Sequence, residues 1–404
     1  MRGVLAGCLA GMAVALLATP AHPAELPARV GRLAALSGPV SFHPQEAGSW
    51  EQAVLNYPVT DGAAFWTEPG GRAEIEIAAS RIVMDAATEL DFDAIAEAAV
   101  VATLPQGEIL LALSDLGPEE SYTVRTPRAA AVIRANGRYG IYAGDLDHPT
   151  RITVLTGAAR VSGANFALDI GAGQAGVIEG AEDFAAHVAP AEPGAFLAAQ
   201  ATPEQPALPP GLPPEAPAAA TGTIPPQQPP SPTATPPKVA QMPGGLALWT
   251  QGDWADVAGY GHVWFPRVPG NWQPYRDGRW TWVRPWGWTW VDNAPFGFAT
   301  THYGRWLRLR GRWAWWPGPP GQRPVYAPAM VALHGPPGPN GPLRWRPLGA
   351  HEPFRPWPVA PSARPNLILP PPGQPQAAHP PVPGPILFRP LPGNPAFPAQ
   401  TPSR

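Results

Sequence analysis

Residues 278–291 read Gly-Arg-Trp-Thr-Trp-Val-Arg-Pro-Trp-Gly-Trp-Thr-Trp-Val, and the alternation in this string decides what kind of fold the chain can adopt. Tryptophan and threonine repeat with period two, so Trp280 with Trp282, and Trp288 with Trp290, project from one face of a strand. The same signature recurs downstream: Gly-Arg-Trp begins at Gly278, Gly304 and Gly311, and Trp313 with Trp315 repeats the spacing. Thirteen of the 17 tryptophans lie between Trp249 and Trp316, a density above what core packing alone usually calls for. Short strands joined by Gly and Pro turns imply an antiparallel meander with one aromatic face.

Toward the N-terminus the pattern changes but the period does not. Residues 29–180 are a succession of short Val, Ile and Leu runs separated by Gly, Pro and Asp. Ala73–Ile77 alternates Ala-Glu-Ile-Glu-Ile, which puts Ile75 and Ile77 on one face and Glu74 and Glu76 on the other. Similar runs occupy 108–113, 122–125, 131–134, 139–142, 152–155 and 166–170. Turn signals at Asp61-Gly62, Asn136-Gly137 and Gly144-Asp145 divide them at the spacing of an all-β domain. Residues 93–102 are the one stretch with the pattern of a short helix.

The predicted fold class is therefore all-β, with a compact β domain over 29–180 and a Trp-rich antiparallel β module over 246–366. A Pro-rich linker (190–245) joins them and a Pro-rich tail (367–404) follows. Fifteen prolines fall within residues 201–245, which removes backbone donors and predicts a disordered, polyproline-biased spacer.

Residues 1–24 have the order of a signal peptide: Arg2, an apolar run from Val4 to Ala18, then small residues that suit cleavage after Ala21 or Ala24. Leu5-Ala6-Gly7-Cys8 spells a lipobox, but the hydrophobic region follows Cys8 instead of preceding it. Cys8 is the one cysteine, so the exported chain is expected to have no disulfide and no thiol chemistry. No later stretch has 18 consecutive apolar residues, so no transmembrane span is expected after the signal. The expected location is the periplasm or the exterior. Charge is divided unevenly: residues 25–200 carry 23 acids and 10 arginines, whereas residues 201–404 carry 7 acids and 16 bases. That asymmetry permits attraction between the halves.

The strings from Asn56 (NYPVTDGAAFWTEPGGRAEIEI), Pro105 (PQGEILLAL), Thr123 (TVRTPRAAAVIRANGRYGIY) and Thr150 (TRITVLTGAARVSG) resemble the FecR family. The resemblance implies a compact extracytoplasmic all-β domain over about 29–180. FecR regulators carry a cytoplasmic anti-sigma region and a membrane helix ahead of it, where this sequence is expected to have only a signal peptide. Residues 246–366 resemble a Trp-rich bacterial domain of unknown function that often follows FecR-like domains in exported proteins. The likeness rests on residues 278–291, on HYGRW from His302, GRWAWWPG from Gly311, VYAPAMV from Val325 and RWRPLGAHEPFRPW from Arg344. Where that domain commonly has a Trp-Gly-Trp-Ala-Pro-Tyr run, this chain has Phe296, Phe298, Thr300 and Thr301.

The candidate binding residues are Trp280, Trp282, Trp288, Trp290, Trp306, Trp313 and Trp315 with Arg279, Arg305, Arg312 and His302. They admit several readings. The aromatics form a cysteine-free core, stacked on one another and on the arginines. Alternatively part of the face stacks on peptidoglycan or polysaccharide sugars, or joins a protein interface. Nucleic acid is permitted by the chemistry but not expected of an exported protein. His302 would bond a turn or a ligand hydroxyl. Glu89, Asp91 and Asp93 share a strand face near Asp85, the pattern of a cation site, a glycosidase pair or solvated edge charges. Asp145, Asp147 and His148 read as loop residues. No nucleophile elbow, metal-ligand His pair or phosphate loop is present, so no enzyme, cofactor or metal is expected. The expected role is a non-enzymatic cell-envelope binding or scaffold protein contacting envelope glycan or envelope proteins, with a FecR-type sensory or regulatory role as the alternative.

Overall fold

The computed structural model describes residues 29–44, 50–181, 183–200, 237–319, 324–335, 342 and 344–356. The signal-peptide expectation, most of the Pro-rich linker and the tail lie outside the described residues.

The described chain is all-β, as short alternating runs require. Two nine-stranded sheets pack face to face across one apolar core. The first runs β18 (Ala185–Pro190), β17 (Gln174–Glu179), β14 (Thr150–Thr156), β13 (Gly137–Tyr142), β10 (Glu108–Leu113), β7 (Ser80–Met84), β6 (Arg72–Ile77), β1 (Gly31–Ser37) and β4 (Pro58–Val59). The second runs β16 (Ala167–Gly171), β15 (Ala158–Ser162), β12 (Ala130–Ile133), β11 (Ser121–Arg125), β9 (Ala99–Gln106), β8 (Thr88–Ile95), β5 (Ala64–Thr67), β2 (Val40–His43) and β3 (Glu51–Gln52). Pairing is antiparallel except between β9 and β11. In β6 the alternation works as its residues dictate: Ile75 and Ile77 are fully buried while Glu74 and Glu76 take the opposite, half-buried face. Each such isoleucine contributes about 1.5–3 kcal/mol by leaving water.

Residues 93–102 are not helical. They end β8 and begin β9, with Ile95 paired to Val100. Their alanines favour a helix locally, but Ile95 and Val100 are both buried in the core, and that burial overrides propensity.

The boundaries of the linker also differ from the composition. The first sheet continues past residue 180 through β18, and helix α1 (Ala195–Ala199) lays Phe196 and Leu197 on Val83 and Leu110. In and just after α2 (Pro237–Ala240), Val239 and Met242 are buried at 1% and 3% exposure. Both ends of the stretch read as linker therefore pack, because each carries apolar side chains that the prolines around them obscure.

The Trp-rich module begins with α3 (Ala247–Gln251) and a four-stranded antiparallel sheet, in the order β19 (Gly252–Val257), β20 (Gly261–Pro266), β24 (Arg312–Trp316) and β23 (Arg305–Leu309). A hairpin of β21 (Gly278–Val283) and β22 (Gly287–Asp292), helix α4 (Gly297–His302) and a short pair of β25 (Val331–Leu333) and β26 (Trp345–Pro347) complete it. One continuous apolar cluster runs from the sandwich into this module. Among the described residues no helix is long and apolar enough to cross a membrane.

Candidate functional site

Cross-strand register in the four-stranded sheet sets Trp254, Trp264, Trp315 and Trp306 in one row across four strands. Trp264 and Trp315 are at 0% exposure and Trp306 at 4%. Their rings meet edge-on or tilted: Trp254–Trp315 at 6.3 Å, Trp264–Trp306 at 6.4 Å, and Trp264 on Phe296 at 5.0 Å. These are the offset geometries aromatic quadrupoles favour. The indoles also act as staples, since Trp264 Nε1 donates to the Leu248 carbonyl at 2.8 Å and Trp315 Nε1 to that of Tyr303 at 3.0 Å.

In the hairpin the register pairs Trp280 with Trp290 and Trp282 with Trp288, each at 5.5 Å. Trp345 closes against Trp280 at 5.4 Å and Trp290 at 5.8 Å. Trp288 and Trp290 are buried, whereas Trp280 and Trp282 keep an exposed edge. The opposite face is no freer, since Thr281 and Thr289 are also buried. The aromatic face that alternation implies is thus largely packed, in a hairpin covered on both sides. Of the candidate tryptophans, Trp280, Trp282 and Trp313 retain partial exposure; Trp288, Trp290, Trp306 and Trp315 are core.

The arginines divide differently from expectation. Arg312 lies over Phe265 at 5.3 Å, and the arginine over a tryptophan is Arg308, 5.0 Å from Trp313. Arg305 makes hydrogen bonds, donating from Nη2 to the Glu352 carbonyl at 2.9 Å. Arg279 is half-buried, and desolvation, ahead of the attraction of Tyr57 and Glu51, holds its pKa below the usual arginine value. Alternation gives the face of Arg308 and of Arg312 but not the ring each meets, which depends on register with the partner strand, where Arg308 pairs with Trp313.

His302 bonds neither a local turn nor an open position. It is fully buried at the end of α4, and its Nδ1 lies 2.8 Å from the Ala327 carbonyl while the Ala327 N–H donates to the His302 carbonyl at 3.0 Å. Burial pushes its pKa down to about 4, so the imidazole is neutral and clamps the 326–330 loop.

The acidic strand face is real. Glu89, Asp91 and Asp93 line an open hollow with His43 and Trp50, whose rings lie 5.7 Å apart. Desolvation first, then Glu89 and Asp93, raises Asp91 to about 7. Asp93 accepts from Thr103 at 2.8 Å and pairs with Arg125 at 3.1 Å. Among the described residues no group of three or more His, Cys, Asp or Glu side chains is placed to hold a metal ion. Asp145 caps its own loop, accepting from the N–H groups of Asp147 and His148 at 2.8 Å each.

The residues that join the two halves went unnoticed in the sequence. Arg32 donates to Glu76 at 2.9 Å, to Asn56 Oδ1 at 2.8 Å and to the Pro295 carbonyl at 3.2 Å. Asn56 donates to the carbonyls of Asp292 and Ala294, and the Gly244 N–H donates to Glu76 at 2.7 Å. Arg32, Asn56 and Glu76 each have a partner across the boundary, the condition under which such a network fixes geometry. A polar residue inside a strand pattern carries no mark of a distant partner.

Residues 246–352 match the family model of DUF6600, a family of unknown function. No curated protein matches the chain. Two crystal structures of a candidate anti-sigma factor from Parabacteroides distasonis, at 1.65 and 2.50 Å resolution, are similar to part of it at 11% and 12% identity, each with a TM-score of 0.27. Each likeness covers 31% of this chain and 58% of that protein, so the shared part spans little more than half its length.

Proposed function

We propose that the chain is an exported, non-enzymatic cell-envelope protein that acts as a rigid two-module scaffold, a FecR-like β-sandwich with a Trp-rich module fixed onto it, and works through contacts with envelope proteins. The observation that carries this reading is the buried Arg32–Asn56 node, which spends polar groups on orienting one module against the other. The aromatic packing supports the same reading. Sugar stacking needs an open ring face, and the rings of Trp280 and Trp313 are already engaged by Trp345 and by Arg308. Protein contacts suit the remaining half-exposed tryptophan and arginine edges, since these residue types dominate interface hot spots. The order of residues 1–24 supports export.

Cell fractionation with mass spectrometry of the mature N-terminus, followed by pelleting with purified cell-wall glycan and cross-linking in intact cells, tests the proposal. Cleavage after Ala21 or Ala24, cross-links to envelope proteins and no pelleting are expected. Met1 retained on a cytosolic protein overturns the location, and saturable pelleting that Trp282→Ala abolishes overturns the mode of contact.

A further inference from the structure

We infer that the tip of the β23–β24 hairpin is a docking point for an anionic phospholipid surface. This goes beyond the scaffold reading and does not depend on it. Leu309 pairs with Arg312, so Arg310 and Gly311 form the two-residue turn between the strands, with φ of 49° and 82°. Positive φ at both central positions is the type I′ hairpin turn, whose first central position favours Asn, Asp or Gly. Arg310 holds that position with an exposed side chain, in a backbone conformation that a long side chain adopts at a cost. The turn itself has no use for the arginine.

The residues beside it repeat its charge. Arg308 and Arg312 are both exposed, and they leave the hairpin on opposite faces. Arg308 lies 5.0 Å over Trp313, on the face of the indole row, and Arg312 lies 5.3 Å over Phe265, on the other. Each ring holds a guanidinium group in place at the end of the sheet without neutralising it.

No carboxylate of the module answers these three charges. Five acids fall within residues 237–356, and each is engaged elsewhere: Asp253 with Arg267, Asp256 with His262 and Glu352 with Arg346, while Asp277 accepts from Asn293 and Asp292 from Trp290. Among the described residues no acid pairs with Arg308, Arg310 or Arg312. Like charges gathered at one turn repel, and a dense array of negative charge relieves that repulsion. The end of a two-residue turn is a projection and not a pocket, so it suits a surface better than a single small anion. Half-buried Trp313, Phe265 and Leu309 lie directly behind the arginines, and this order of cation then aromatic or apolar edge matches headgroups over an acyl layer.

Flotation of the full folded chain with vesicles of phosphatidylcholine, and with vesicles of phosphatidylcholine mixed with phosphatidylglycerol, tests the inference. Wild type should bind the mixed vesicles in excess over phosphatidylcholine alone, and added salt should release that excess. Arg310→Asn should weaken the phosphatidylglycerol-dependent binding about fivefold, and Arg308→Gln, Arg310→Asn and Arg312→Gln together about a hundredfold. Because asparagine suits the turn better than arginine, Arg310→Asn should melt at or above the wild-type temperature, which separates lost binding from lost fold. No preference for the anionic vesicles, an unchanged affinity in the triple variant, or a lower melting temperature in Arg310→Asn overturns the inference. Displacement by glycerol phosphate overturns it in favour of a single-phosphate site. Self-association of the free chain that the triple variant abolishes in sedimentation overturns it in favour of a second copy.

Discussion

The side-chain amide of Asn56 donates to the backbone carbonyl of Asp292, 236 residues further along the chain, at 2.8 Å. The same amide reaches the Ala294 carbonyl at 2.8 Å, and its oxygen accepts from Arg32. Asn56 holds a left-handed backbone with φ of 62°, a conformation asparagine tolerates better than most residues. Asp292 is itself fixed, since its carboxylate accepts from Trp290 Nε1 at 2.9 Å and from the Ala294 N–H at 3.0 Å. The aromatic hairpin and the sandwich are thus coupled through one buried residue on each side.

Removing that amide should uncouple the modules. Asn56→Gly keeps the left-handed backbone but strands two carbonyls and takes one acceptor from Arg32, which keeps Glu76 and Pro295, and should cost about 2–4 kcal/mol. Asn56→Ala should cost about 1 kcal/mol more, because alanine resists the positive φ. Denaturant unfolding checks both, with the wild-type transition expected to split in two. A loss under about 1 kcal/mol in either variant would mean the apolar contacts alone hold the modules together.

Tryptophans at equal strand spacing should differ sharply in their contribution. Trp315→Ala empties a fully buried position in the four-indole row and should cost about 3–5 kcal/mol. Trp282→Ala removes a half-exposed ring whose contact is Trp288, and should cost less than half as much. Thermal melts of the two variants side by side decide it. Equal losses would show that the hairpin edge is buried in solution.

The local half of this fold was legible and the long-range half was not. Period-two alternation was enough to place Ile75, Ile77, Trp280 and Trp290 on strands with the correct neighbours facing the same way, because strand geometry fixes sidedness residue by residue. It could not reveal that both faces of the hairpin are covered, since covering depends on elements that return from elsewhere in the chain. Val239 and Met242 were lost among prolines for the same reason. Alanine-rich residues 93–102 misled because propensity is weaker than the burial of Ile95 and Val100. Asn56 carried no local sign at all, because it is defined by two distant carbonyls.

The buried imidazole sets a pH dependence. His302 has a pKa of about 4 in the fold against 6.5 in the open chain, so unfolded chains bind its proton first. Its contribution to stability is present above pH 6.5, declines as pH falls, and is gone below about 4, a change on the order of 3 kcal/mol. Asp91 and Glu108, raised to about 7 by desolvation, act in the opposite sense, favouring the fold at low pH and losing that contribution as pH rises toward 7. The histidine effect is isolated by His302→Gln, whose amide can still donate to Ala327. Its stability deficit relative to wild type, measured by chemical unfolding, should be larger at pH 7.5 than at pH 4.5. A deficit independent of pH would show that the imidazole titrates normally.

Proteolysis separates the spacer from its packed ends. Residues 201–236 carry prolines and alanines with no strand pattern, whereas beyond them Val239 and Met242 are buried and the Gly244 N–H is bound to Glu76. Elastase should therefore cut first within 201–236 and spare 237–251. Because Arg32, Asn56 and the shared apolar cluster hold the halves together without the spacer, the two fragments should co-elute in gel filtration after the cut. Arg32→Ala removes the donor that bridges Glu76, Asn56 and Pro295, and should release the fragments from each other while leaving the cleavage site unchanged. Early cutting inside 237–251 would mean that the returning segment opens in solution, and separate elution of wild-type fragments would mean that the spacer, and not the buried node, keeps the modules near each other.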